Sequence, residues 1–138
     1  MIKENNIQKQ IDKAIEEKWQ VCVYGLGNLG MKLYEEVPGI FNLHADLFSD
    51  GNDDKVNKLA IEGMKGIFLK DLLESSKDIL VFVLVDNPYD SQIEEKLSIN
   101  SKLHVCTLRK LTKLEMVFEY YYGSKMLSDY QKLPVWKG

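Results

Sequence analysis

The chain has 138 residues, 45% of them hydrophobic and 28% charged, which suits a compact folded domain and excludes a disordered chain. That length predicts a single domain over 1–138 and leaves no room for two ordinary ones. A net charge of -3 makes nucleic acid and anionic membrane poor general partners.

The first ten residues hold no apolar segment of the kind a signal peptide needs. The longest apolar run, Ile79 to Val85, is far shorter than a membrane span, so a cytoplasmic protein is expected. Lys3, Lys9, Lys13 and Lys18 are mixed with Glu4, Asp12, Glu16 and Glu17, so the N-terminal segment is not a basic arm. Cys22 and Cys106 are too few and too far apart for a zinc or redox motif; buried free thiols are expected, and no metal site.

In chain order, Ile7, Ile11, Ala14 and Ile15 recur at helical spacing and predict an amphipathic N-terminal helix within 1–19. Val21 to Tyr24 reads as a short strand. A helix follows with Leu29, Leu33 and Val37 as its stripe, stopped by Pro38-Gly39. Ala45 to Ser49 is the second strand, and Gly51 to Asp54 a polar loop. A short edge strand is expected within Gly63 to Phe68, then a helix carrying Leu69, Leu72 and Leu73. Ile79 to Val85 suits a central parallel strand buried on both faces. Asp86 or Asn87 is expected to cap the next helix, with Pro88 in its first turn and Ile93 and Leu97 buried. Leu103 to Leu108 is the last strand. A helix on Leu111, Leu114, Phe118 and Tyr121 and an aromatic tail complete 111–138. This alternation predicts a three-layer α/β domain with a mostly parallel sheet of about five strands, in the order 3-2-1-4-5.

Gly25-x-Gly27-x-x-Gly30 follows a strand directly and opens a helix, the context in which such a motif cradles a pyrophosphate. Gly25 permits the tight turn, Gly27 lets a phosphate approach the backbone, and Gly30 lets helix and strand pack closely. The N–H groups of Asn28, Leu29 and Gly30 would face the ligand at the helix start, where the helix dipole favours an anion. Asp50, twenty residues after Gly30 at the end of the second strand, is the candidate ribose contact. A carboxylate there favours NAD or a UDP-type ribose over a 2′-phosphate. Asp46 sits inside the strand and is the weaker choice. His44 and His104 have no partner at a recognisable spacing and read as structural. No Ser/His/Asp, Cys/His or HExxH arrangement is present, so no catalytic residue is assigned. Phe118, Tyr120, Tyr121, Tyr122, Tyr130 and Trp136 crowd the tail and suggest a homo-oligomer or partner-protein contact.

Val21 to Leu111 resembles the small Rossmann-like domains attached to bacterial surface-polysaccharide enzymes: sugar O-acetyltransferases, nucleotide-sugar dehydratases and FkbM-type methyltransferases. The resemblance rests on VCVYGLGNLGMKLYEE, LFSDGND, GMKGIFLKDLL and DILVFVLV. By position, Gly25, Gly27 and Gly30 match the family's phosphate turn and Asp50 its aspartate after the second strand. Leu26 stands where the family has a small residue, and Gly63-Met64-Lys65-Gly66-Ile67 replaces its Gly-Ile-Pro-Val. Motif and resemblance together imply a nucleotide-binding module for an NAD-type dinucleotide or a nucleotide-sugar. It would work with a partner or as a dimer, in surface-polysaccharide metabolism. Two other readings stay open: a ligand-free interaction module, and a fragment of a sugar-nucleotide oxidoreductase.

Overall fold

The computed structural model describes residues 3–86 and 88–111. Helix α1 (Lys3–Glu17) buries Ile7, Ile11 and Ala14. Ile15 was expected on the same face but is 48% exposed, because it sits at the margin of the stripe those three residues define. Strand β1 (Gln20–Tyr24) follows, buried from Val21 onward.

The expected second helix is two short ones, α2 (Asn28–Leu33) and α3 (Glu36–Ile40). Pro38-Gly39 does not stop a helix here. Pro38 lies in the first turn of α3, where its missing N–H would have had no intrahelical partner. Strand β2 (Leu47–Ser49) is shorter than expected. Asp46, just before it, accepts the Val21 N–H through its carboxylate at 2.9 Å and donates its own N–H to the Val21 carbonyl at 2.7 Å. Its task is to join the starts of β1 and β2.

The polar segment after β2 is also revised. Asn52 caps helix α4 (Asp53–Lys58) by accepting the Asp54 N–H at 3.0 Å, so Asp53 and Asp54 form a helical first turn instead of a loop. Then come β3 (Lys65–Gly66), α5 (Leu69–Leu73), β4 (Ile79–Val83), α6 (Tyr89–Leu97), β5 (Leu103–Thr107) and α7 (Leu108–Leu111). Pro88 occupies the cap position of α6 without a side-chain hydrogen bond; among the described residues Asp86 meets α6 through its carbonyl, which accepts the Asp90 N–H at 3.1 Å. The proposed cap at Asn87 and the continuation of the last helix and tail over 112–138 lie outside the described residues.

All five strands are parallel, in the order β3-β2-β1-β4-β5. Side chains alternate between the two faces. Val21, Val23, Leu80 and Phe82 pack under α1, α2, α3, α4 and α7, whereas Cys22, Tyr24, Val81 and Val83 pack under α5 and α6. Every residue of β4 is buried, which is why its sequence is continuously apolar and not alternating. Phe82 is fully buried and stacks on Phe41 at 6.1 Å between ring centroids.

His104 does have a carboxylate partner. Asp78, at the foot of β4, meets its Nε2 at 2.8 Å, and the Trp19 indole stacks on the imidazole at 4.1 Å. The hydrogen bond to His104 holds the Asp78 carboxyl below its usual value of 3.8. A lowered carboxylate contributes stability above its unfolded value and loses it as pH falls through the folded one. Asp78→Asn should therefore be less stable than the parent near neutral pH, with the gap closing below about pH 4. Urea midpoints across that range check it.

Both cysteines are free and buried. Burial pushes the Cys106 thiol up to about 12 and raises that of Cys22 as well. A thiol-exchange reagent at about pH 8 should label neither cysteine in the native protein and both after unfolding. Prompt labelling of the folded chain would contradict this burial.

Candidate functional site

Register places the carboxyl ends of three strands side by side. Tyr24 pairs with Ser49 on one flank and with Val83 on the other. The backbone stays tied beyond the strands: Gly25 N–H donates to the Ser49 carbonyl at 2.9 Å, and Leu84 N–H to the Tyr24 carbonyl at 2.8 Å. The glycine turn, Asp50 and the end of the β4 segment therefore emerge together at one edge of the sheet. Open α/β sheets bind their ligands at such a point, where the chain order reverses.

A cavity of about 640 Å³ lies there. The glycine turn from Gly25 to Gly30, Asp50 to Asn52, and Leu84 to Asp86 form its walls, with Lys55, Tyr89 and Ile93 contributed by α4 and α6. Gly25, Gly27, Asn28, Leu29, Gly30 and Asp50 all border it. Leu26 does not. Its side chain is 7% exposed and turned into the core under α2. A large residue after the first glycine thus leaves the cavity beside the turn open.

The three glycines are not equivalent. Gly25 has φ +110°, a conformation L side chains rarely adopt, and a Cβ on it would stand 2.7 Å from Val85 Cγ2. A Cβ on Gly30 would stand 1.8 Å from the Gly25 carbonyl oxygen. The fold itself requires both. Gly27 is different: its φ is -81°, it is exposed, and a Cβ there would meet nothing within 4 Å. Among the described residues, no atom explains its lack of a side chain. The first bond of the α2 ladder runs from Met31 N–H to the Gly27 carbonyl at 2.9 Å, so the N–H groups of Asn28, Leu29 and Gly30 precede the ladder.

Asp50 is the clamp of this edge. One carboxylate oxygen accepts the Leu26 N–H at 2.7 Å and the other the Asn52 N–H at 2.8 Å. Its first effect is to fix the glycine turn against the segment leading into α4. An ionised carboxylate offers about four lone-pair sites, so roughly two remain for hydroxyl donors. Tyr24 forms part of the wall. Burial, and then the charge of Asp50, push its phenol up to about 12, so it stays a neutral hydrogen-bonding group.

Several lining residues have no signal in the glycine motif. Reading Gly51 to Asp54 as a loop hides the helix that carries Lys55, although Asn52-Asp53-Asp54 holds both a cap and an acidic first turn. Lys55 brings a cationic side chain to the wall, whereas Lys32 is exposed and outside the lining. Tyr89, 61% exposed, and the half-buried Ile93 reach the cavity only because α6 packs beside β4. No motif marks them.

Strand order, the turn after β1 and the placement of Asp50 define an α/β three-layer domain of the Rossmann-like type. No protein-family model matches the chain, and a search of curated proteins finds no match. Among the described residues, no helix is long and apolar enough to cross a membrane.

Proposed function

We propose that the chain is a nucleotide-binding module whose ligand is an NAD-type dinucleotide or a nucleotide-sugar. The two ligands share a ribose and a pyrophosphate, the groups this edge suits. The observation that carries the reading is Gly27: it borders the cavity, and neither its backbone conformation nor packing among the described residues calls for glycine there. Close approach of a phosphate to the backbone supplies the reason. The pyrophosphate would lie against the N–H groups of Asn28, Leu29 and Gly30. The ribose would use the spare acceptor sites of Asp50. Lys55 adds the cationic side chain that the sequence motif lacks.

The test pairs thermal melting of the parent chain with that of Gly27→Asp. Aspartate is a favoured residue at a helix cap, so the unliganded variant should melt within a few degrees of the parent. Its carboxylate repels a phosphate at the same position. NAD or UDP-glucose at one hundred times its dissociation constant should stabilise the parent by about 2.7 kcal/mol, a shift of roughly 10 °C. The variant should show no shift. Silence of the parent toward both ligands at millimolar concentration would instead favour the interaction-module reading.

A further inference from the structure

Tyr24 ends strand β1 and is 4% exposed, yet its hydroxyl has no hydrogen-bond partner among the described residues. The ring packs in the apolar layer with Cys22, Leu47, Leu72 and Val83, and no other residue of that cluster carries a hydroxyl. Phenylalanine would fill the same space. A buried hydroxyl ordinarily finds a partner, and one left unpaired costs stability. Packing therefore gives no reason for the oxygen.

The surroundings of that oxygen supply one. Tyr24 and Gly51 both border the cavity, and a Cβ on Gly51 would stand 3.1 Å from the Tyr24 hydroxyl oxygen. Among the described residues, no other atom beyond its chain neighbours comes within 4 Å of that position. The phenol oxygen thus reaches Gly51 at the cavity wall, and the missing side chain of Gly51 keeps that place clear. Asp50, next in the chain, is near enough for its charge to raise the phenol's pKa. Two groups of opposite sense therefore share this wall: a carboxylate that accepts and a neutral phenol that donates. A ribose hydroxyl suits both at once, donating to Asp50 and accepting from Tyr24.

We propose that Tyr24 is a ligand contact that donates a hydrogen bond to a ribose hydroxyl held by Asp50, with Gly51 keeping its path clear. The site then selects ribonucleotides over the form that lacks this hydroxyl. This rests on the nucleotide-binding reading and adds a specificity-determining residue to it.

Titration calorimetry of the full chain with ADP and UDP, and with their 2′-deoxy and 3′-deoxy forms, tests it. Tyr24→Phe should weaken the ribonucleotide that the parent binds by about five- to tenfold. For one of the two deoxy forms, the loss should fall below about twofold, because the hydroxyl that Tyr24 meets is already gone. Equal losses for all three forms, or none for the ribonucleotide, overturn the contact while leaving the nucleotide reading intact. Gly51→Ala, which sets a methyl group against the hydroxyl, should give the same pattern. It decides the case if circular dichroism shows Tyr24→Phe unfolded. Silence of the parent toward ADP and UDP at millimolar concentration overturns this assignment. Silence toward NAD and UDP-glucose as well overturns the nucleotide reading too.

Discussion

Gly30→Ala should destabilise the protein by about 3 kcal/mol or more, a loss of roughly 10 °C in melting temperature. Two effects oppose each other here. Alanine is favoured over glycine inside a helix by about 1 kcal/mol, so propensity alone predicts a gain. The added Cβ, however, would sit 1.8 Å from the Gly25 carbonyl oxygen and 2.7 Å from its carbon. These are backbone atoms and cannot rotate aside. Nor is Gly25 free to shift: its N–H is bonded to the Ser49 carbonyl at 2.9 Å, and its own Cα faces Val85 and the Leu84 carbonyl. The turn must open or α2 must move off the sheet, and sterics wins over propensity. Urea unfolding measures the difference. A Gly30→Ala chain as stable as the parent would show that helix and turn do not approach this closely.

Arg109→Met should cost about 3–5 kcal/mol, and Asp90→Asn markedly less, about 1–2 kcal/mol. The asymmetry follows from burial. The Arg109 side chain is 49% exposed, whereas that of Asp90 is 2% exposed. Arg109 donates to both carboxylate oxygens of Asp90, from Nε at 3.0 Å and from Nη2 at 2.8 Å. Without Asp90, the half-exposed guanidinium keeps its contact with water. Without Arg109, a carboxylate is left in the core with only the Ser91 N–H, at 2.9 Å, as a short-range donor among the described residues. An uncompensated buried charge is among the few single changes that cost this much. The double variant Asp90→Asn/Arg109→Met should recover part of the loss, because it removes the stranded charge. Denaturant midpoints of the four proteins give the coupling directly. Equal costs for the two single variants would show that Asp90 is not buried as described.

Much of this architecture is written in local pattern. The uninterrupted run Ile79 to Val85 suits a position between two helical layers, and its first five residues, Ile79 to Val83, form the buried centre of the sheet, while Leu84 and Val85 run on to the cavity wall. The turn glycines at 25 and 30 are legible because their spacing answers a steric need that any strand-to-helix turn of this kind has. Asp50 was legible as a residue at the right place, but not in its first task. Nothing in LFSDGND says that both carboxylate oxygens will hold backbone N–H groups, one of them 24 residues upstream. Leu26 was legible as a departure from a pattern. Whether its side chain would fill the cavity or leave it depended on which way the turn aimed its Cβ.

The errors share a cause. Residue type alone makes Pro38-Gly39 a stop and Gly51 to Asp54 a loop. Proline, asparagine and aspartate are equally at home in a helix's first turn, and position decides which role applies. His104 was read without a partner because Asp78 is 26 residues away and reaches it only across paired strands.

Periodicity and punctuation along the chain thus decide the class of fold, the strand order and the position of the glycine turn, since these follow from what each short segment must bury or bend. Tertiary contact alone decides the rest: that Leu26 turns inward, that Lys55, Tyr89 and Ile93 meet at one cavity, and that Asp90 and Arg109, nineteen residues apart, pair between α6 and α7. The physical reason is range. A buried ion pair or a shared cavity wall depends on groups that share no local periodicity, and they meet only once the sheet has brought its carboxyl ends together.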